Sequence, residues 1–362
     1  MYCFSLGPIS LRLSSSSLVL VGAWYTIFAT SSVWSGALIR LPKWVFILLL
    51  LAPFLMAVIH GRIPHLRRTP EGELYGGFHL PLNMLPGREY GPPETEWLNM
   101  GYWENTTIFP EACEALALRV ASMACVHSGH VLEVGFGCGD SLLLQLRHPS
   151  IPRPVTITGI TSLPSHFHRA KQRIEQADLK EKIPTRLFLG DAVFREGTNP
   201  SSLTAEQEAT VSIMESHPLR YPGNETLYFD SILGVDCAYH FKTRNLFLRQ
   251  CYDRLTPGSG RLALADMCFE PTSSTPLTYL SKIIAFILRV PSANLIGRRA
   301  YRESLEKIGF DEIVIEDISS SVYSGFTAFL RTRGIMWVLF ANIITIWHKG
   351  GGKFVLVSAR RS

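Results

Sequence analysis

The sequence predicts an α/β fold in which a mostly parallel sheet carries helices on both faces. Three observations support this reading. First, the apolar run Val131 to Val134 leads directly into the glycine turn Gly135-Phe136-Gly137-Cys138-Gly139-Asp140, as a buried strand does when it enters a tight bend. Second, apolar runs of strand length alternate with segments of helical period from there to Ser358. Third, glycine or polar residues stand at the ends of the early strands, at Gly135 to Gly139, Thr161, Asp191 and Asp236. The carboxyl edge of such a sheet is where ligands bind.

Residues 1–61 read as a membrane anchor with two candidate transmembrane helices. Trp44 to Ile59 is uncharged and strongly apolar, just short of the roughly 17–25 residues that a span needs. Leu18 to Ile39 is the second candidate, with Trp24, Tyr25 and Trp34 at interfacial depths. Arg40 to Lys43 forms the turn between them, and Arg62, Arg67 and Arg68 downstream favour a cytosolic placement for the rest of the chain. Residues 62–98 are a Pro/Gly-rich connector, and residues 99–362 form the larger domain.

Within that domain, Ser141 to Arg147 continues the glycine turn as a short helix and Pro154 to Thr161 is a strand. Ser165 to Leu179 is a helix, with Phe167, Ala170, Ile174 and Ala177 on one face. Thr185 to Gly190 and Asp230 to Val235 are strands, separated by a polar insertion from Glu196 to Glu225. Arg244 to Leu255 is a helix broken by Thr256 to Gly260, and Arg261 to Ala265 is the next strand. Tyr301 to Ile308 is a helix ended by Gly309; Asp311 to Ile318 and Lys353 to Ser358 are the last strands. Hydrophobic insertions at 272–297 and 319–352 interrupt the alternation. Both read as lid elements lying on a membrane and opening a lipid-facing entrance, with ordinary core or dimer contact as the alternative.

The composition agrees with membrane contact: 47% of residues are hydrophobic and only 18% charged, against about 25% charged in a typical soluble domain. The net charge of +5 is spread without a basic block, which argues against nucleic acid and suits an anionic membrane surface. Seven cysteines, an odd number without Cys-x-x-Cys spacing, argue against a disulfide framework and against a zinc site, so no metal is expected. The sequons at Asn105 and Asn224 read as chance matches in a cytosol-facing domain. The expected location is the endoplasmic reticulum or another endomembrane.

Five stretches resemble the motifs of class I S-adenosylmethionine-dependent methyltransferases: Asn99 to Trp103, Leu132 to Gly139, Gly159 to Pro164, Gly190 to Ala192, and Leu255 to Gly260. Within that class the chain is most similar to the small-molecule group of tocopherol, sterol and cyclopropane-fatty-acid type enzymes. The resemblance runs from about Asn99 to the C-terminus. It implies a Rossmann-like sheet and S-adenosyl-L-methionine as cofactor. Gly135, Gly137 and Gly139 would run beneath the methionine part, and Glu133 would meet its amino end through water or backbone. Thr161 and Ser162 would sit near the ribose, and Asp191 would accept from the adenine amino group with Ala192 beside it. Tyr102 and Trp103 would face the sulfonium, where aromatic faces favour a cation. Thr161 stands where many class I enzymes carry an acid, a departure shared with the sterol and tocopherol type. His166 stands where that group often has glutamine, and Ser259 where glycine is usual.

The resemblance implies methyl transfer as an in-line displacement in which the protein chiefly aligns the reactants. A hydroxyl or carbon nucleophile also needs a base. Asp236 to Phe241, just past the fourth strand, supplies the candidates. His240 would take a proton, Tyr239 would orient a polar head group, and Asp236 would orient the histidine or touch the cofactor. His240 also reads as a helix cap or as packing against Phe241. The expected substrate is a lipophilic small molecule such as a terpenoid, sterol or quinone-like lipid. A nicotinamide-dependent oxidoreductase is a rival, opposed by Asp140 in place of a third fingerprint glycine and by Thr161. A non-catalytic membrane-bound binding protein is another, opposed by the presence of Glu133, Asp191, Tyr102 and Trp103.

Overall fold

The computed structural model describes residues 79–88, 91–125, 129–179, 182–195, 217–220, 228–273 and 275–362, and two short strands near the N-terminus. The chain divides into two compact units, Met1–Arg67 and Arg68–Ser362. In the first, Cys3–Leu6 pairs antiparallel with Ile9–Arg12. Both candidate transmembrane segments and most of the polar insertion after Glu196 lie outside the described residues. Among the described residues, no helix is long and apolar enough to cross a membrane.

The second unit is built on a seven-stranded sheet. Its strands are β1 (His130–Val134), β2 (Thr156–Thr161), β3 (Thr185–Leu189), β4 (Ser231–Val235), β5 (Arg261–Phe269), β6 (Phe310–Asp317) and β7 (Gly352–Arg361). They lie in the order β3-β2-β1-β4-β5-β7-β6. The first five pair in parallel, and β7 runs antiparallel to both β5 and β6. β1 is central: Val131 lies opposite Ile157 on one side and Ser231 on the other. Val131, Leu132, Glu133 and Val134 are all buried, as in a strand covered on both faces. β5 continues four residues past its expected end at Ala265, because the buried Asp266 finds partners that keep it in the strand.

The helices are α1 (Phe109–Met123), α2 (Asp140–Arg147), α3 (Pro164–Glu175), α4 (Arg244–Arg254), α5 (Thr275–Ile287), α6 (Arg298–Ile308), α7 (Ser319–Arg331) and α8 (Ile335–Lys349). α1 was not among the expected elements, although Ala112, Cys113, Leu116, Ala117, Val120 and Ala121 bury one helical stripe. α3 stops four residues short of Leu179, and α6 begins three before Tyr301. The hydrophobic insertion between β6 and β7 consists of two helices, α7 and α8, with the break at Gly334. The main core joins Leu132, Val134, Ile232, Leu262, Leu264, Val355 and Val357 of the sheet to Phe247 and Leu248 of α4 and Leu305 of α6.

α7 closes one side of the domain through an aromatic cluster. Trp103 lies with its ring centroid 6.3 Å from Phe109, 6.3 Å from Phe326 and 5.3 Å from Phe329. Gly325 permits this approach, since a Cβ there would stand 2.1 Å from the Trp103 Cβ. Gly325→Ala should therefore destabilise the domain by about 1–3 kcal/mol through overpacking, read as a lower denaturation midpoint; an unchanged midpoint would show that α7 does not pack on Trp103.

Candidate active site

The ends of three adjacent strands carry the expected binding residues. After β1, Gly135, Gly137 and Gly139 take φ values of +68°, +53° and +92°. A Cβ at these positions would come within 2.8 Å of Cys237, 3.0 Å of Leu98 and 2.9 Å of Ala170. Only glycine fits these three positions, because of both the left-handed backbone and the close neighbours; Gly135 N donates to Ile160 O at 2.8 Å and Gly139 N to Phe136 O at 3.0 Å. Thr161 ends β2 and is buried, and its carbonyl accepts from Gly190 N at 2.8 Å, which ties the ends of β2 and β3 together. Ser162 is exposed beside it. Asp191 follows β3 with an exposed carboxylate: Oδ1 accepts from Val193 N at 2.9 Å, and Oδ2 lies 3.5 Å from Arg195 Nη1. Ala192 is buried next to it.

Glu133 does not reach out to the rim. Its carboxylate is buried and accepts from Ser141 Oγ and Gln145 Nε2 on α2. Burial, only partly offset by those two bonds, pushes its carboxyl up to about 7. Glu133 therefore ties α2 to β1 beneath the glycine turn. Tyr102 and Trp103 are both buried. The Trp103 ring is enclosed in the aromatic cluster, and the Tyr102 ring carries the Arg119 guanidinium 4.4 Å from its centroid. Their main chain is pinned instead, with Tyr102 N donating to Ala112 O and Trp103 N to Ser321 O, both at 2.8 Å.

The segment before them crosses the glycine turn. Leu98 stands over Gly137, and Glu96 N donates to Asp140 Oδ2 at 3.1 Å. Arg173 grips both oxygens of Asp140, at 2.7 and 2.6 Å, and also donates to Cys138 O. Arg169 bridges both oxygens of Glu96. Burial works against the Glu96 charge, but the Arg169 hydrogen bonds outweigh it and hold that carboxyl below its ordinary range. His79, Glu96 and Cys138 cluster beneath, all buried, with His79 Nε2 3.7 Å from Cys138 Sγ. Burial lowers His79 to about 4 and raises the Cys138 thiol, so both are neutral at neutral pH. Two guanidiniums then match the two carboxylates, Glu96 and Asp140, and the charges of the cluster close.

On the other side of β1, β4 ends at Asp236, held at φ +59°. Asp236 Oδ2 accepts from Met100 N at 2.9 Å, and the Tyr239 side chain also hydrogen-bonds the carboxylate. Burial pushes its carboxyl up to about 7. An acid raised in the folded state holds its proton more firmly there than in the unfolded chain. Stability therefore falls as pH rises from about 4 to about 7, and the loss persists above that window. Asp236→Asn should remove this fall, seen as a smaller loss of denaturation midpoint over the same pH range. Parallel profiles for the two proteins would contradict the assignment.

Tyr239 and His240 lie on the turn Ala238–His240, with ring centroids 4.2 Å apart. The His240 ring hydrogen-bonds to the backbone of Arg289, and burial lowers its pKa to about 4. The ring is neutral but only weakly basic. Sequence reasoning missed what holds this turn. Asn294, buried, donates to Tyr239 O at 2.9 Å and to Phe241 O at 2.7 Å, and its Oδ1 accepts from Arg244 N at 3.1 Å. Arg244 in turn bonds Asp266 and Asn294 O. Asn99 is a second missed residue: its Nδ2 donates to Cys113 O and its Oδ1 accepts from Gly101 N, which shapes the loop over the site. One signal was present for Asp266, an acid inside an apolar strand, like Glu133. Asn294 had none.

The strand order, the single antiparallel strand inserted between β5 and β6, and the glycine turn after β1 define the fold as that of the class I S-adenosylmethionine-dependent methyltransferases. The chain is 26% identical over 238 residues to erythromycin 3''-O-methyltransferase of Saccharopolyspora erythraea, a match over 63% of this chain and 66% of that protein, just under two thirds of the relative's length. Among solved structures, the cyclopropane synthase MmaA2 from Mycobacterium tuberculosis superposes with a TM-score of 0.54 at 13% identity, over 78% of this chain and 93% of that one. Geranyl diphosphate C-methyltransferase from Streptomyces coelicolor, crystallised with Mg2+, geranyl-S-thiolodiphosphate and S-adenosyl-L-homocysteine, superposes at 0.51 with 13% identity, over 70% of this chain and 78% of that one. No family model matches the chain.

Proposed function

We propose that this chain transfers a methyl group from S-adenosylmethionine to a lipophilic small molecule, a terpenoid, sterol or quinone-like lipid, at a membrane surface. Residues 1–61 anchor it in an endomembrane, with the sheet domain in the cytosol. The observation that carries the reading is the succession of strand ends. The glycine cradle, Thr161 with Ser162, and Asp191 with Ala192 follow one another along β1, β2 and β3, and Asp236 lies on β4 at the other side of the cradle. That row fits a nucleoside at one end, an amino acid in the middle and a reacting centre at the other. The erythromycin and geranyl diphosphate enzymes, by their names, methylate small molecules.

When bound, the cofactor supplies an electrophilic methyl group on a positively charged sulfur. The chain supplies alignment. The main chain of Gly135 to Gly139 would hold the methionine part, Thr161 and Ser162 the ribose, and the Asp191 carboxylate would accept from the adenine amino group. At the reacting end the base is Asp236 rather than His240. The Asp236 carboxyl, bonded by Met100 N and the Tyr239 side chain, is poised near neutral pH, whereas the His240 ring is a poor proton acceptor and packs on Tyr239. Untargeted metabolite comparison with and without the chain tests the activity: a product heavier by one methylene is expected. On that substrate Asp236→Asn should abolish turnover, while His240→Ala keeps it. The reverse result would return the base role to His240, and no methylated product would remove the activity.

A further inference from the structure

We propose that the outer face of α5 together with the first turn of α8 is a docking surface for an anionic phospholipid bilayer, and that it delivers substrate to the Tyr239–His240 turn. This rests on the membrane-surface part of the function proposed above. Tyr279, Ile283, Phe286 and Ile287 form one helical stripe on α5, and all four are exposed, Phe286 at 82%. The opposite stripe, Leu280, Ile284 and Ala285, is buried. α5 is bonded to the end of α8, through Ser281 Oγ to Ile346 O at 3.2 Å and Thr278 Oγ1 to Gly350 O at 3.4 Å. From that junction α5 runs on to Ile287 while α8 runs back to Ile335. Ile335, 71% exposed, and Met336 extend the apolar surface on α8. A contiguous patch of large apolar side chains on a folded surface marks an interaction site.

Charge identifies the partner. Residues 271–302 and 318–362 contain no Asp or Glu at all. Lys282, next to Ile283 on α5, and Arg289, two residues past Ile287, are exposed. A two-fold contact with a second copy would set these cations against one another with no carboxylate to receive them. A bilayer with anionic head groups receives both the cations and the apolar side chains.

The inner side of the same elements leads to the site. Trp347 of α8 packs on Phe269 at the end of β5, with ring centroids 5.5 Å apart, and its Nε1 donates to Tyr323 Oη at 3.0 Å. Just beyond α5, Arg289 holds the His240 ring through its backbone, and Asn294 clamps the turn that bears Tyr239. The segment that leaves the apolar surface is therefore the segment that positions the candidate substrate turn.

The test uses the full chain in vesicles of phosphatidylcholine, with or without phosphatidylserine. The photo-crosslinker p-benzoylphenylalanine replaces Phe286, Ile283 or, as a control on α6, Glu306. Phospholipid adducts are expected at 286 and 283 but not at 306, with yields that rise when phosphatidylserine is present. Adducts to a second copy, adducts to residues 1–61 of the chain, yields indifferent to phosphatidylserine, or no adduct above the level at 306 would each overturn the proposal. S-adenosylmethionine binding measured on the same samples separates this failure from a failure of the methyltransferase reading.

Discussion

Arg244→Met should lower the stability of the sheet domain by about 3–5 kcal/mol, the range for removing one partner of a buried ion pair. Arg244 and Asp266 are 2% and 0% exposed, with Nη1 2.8 Å from Oδ2. The guanidinium also donates to Met267 O and Asn294 O and lies 4.1 Å from the centroid of the Tyr301 ring, while Tyr301 Oη donates to Asp266 Oδ2 at 2.9 Å. Methionine matches the volume but leaves the Asp266 carboxylate charged and dry. Adding Asp266→Leu should restore part of the loss, because both buried charges are then gone, although Tyr301 loses its acceptor. Chemical denaturation of the two variants measures this. A single variant within 1 kcal/mol or so of wild type would mean that the pair is solvated. The change should also reach the site, since Arg244 holds Asn294 and Asn294 holds the turn of Tyr239 and His240.

Gly137→Arg should abolish binding of S-adenosylmethionine. The residue sits at φ +53°, in the left-handed region, which costs a non-glycine residue about 1–3 kcal/mol. Its side chain would run into Leu98, 3.0 Å from the position of a Cβ, and push the segment that crosses the turn out of place. Asp191→Ala is the milder companion. Its carboxylate is exposed and organises only its own loop, so the domain should keep its denaturation midpoint while binding weakens. Binding retained by both variants would place the cofactor elsewhere.

The strand ends were legible because each is a local pattern: an apolar run, then a glycine or a polar residue. β1 and its turn, Thr161 and Asp191 could all be read within a ten-residue window. Glu133 was visible as an acid inside a strand, but its partners Ser141 and Gln145 lie eight and twelve residues away on the next helix. Their four-residue spacing on α2 was the available clue that the carboxylate points inward. The orientation of Trp103 was not legible, since it depends on the missing side chain at Gly325, far along the chain. The Asn294 clamp spans 55 residues to Tyr239 and leaves no trace in either local sequence. The choice between His240 and Asp236 turned on burial, which sequence does not record. It depresses the imidazole and raises the carboxyl.

The most direct test of the central claim is calorimetric titration of the full chain with S-adenosylmethionine and, separately, with NADH. The glycine cradle, Thr161 and Asp191 predict saturable binding of the sulfonium nucleoside, weakened by Asp191→Ala, and no heat with the dinucleotide. Saturable NADH binding with none for S-adenosylmethionine would contradict the account.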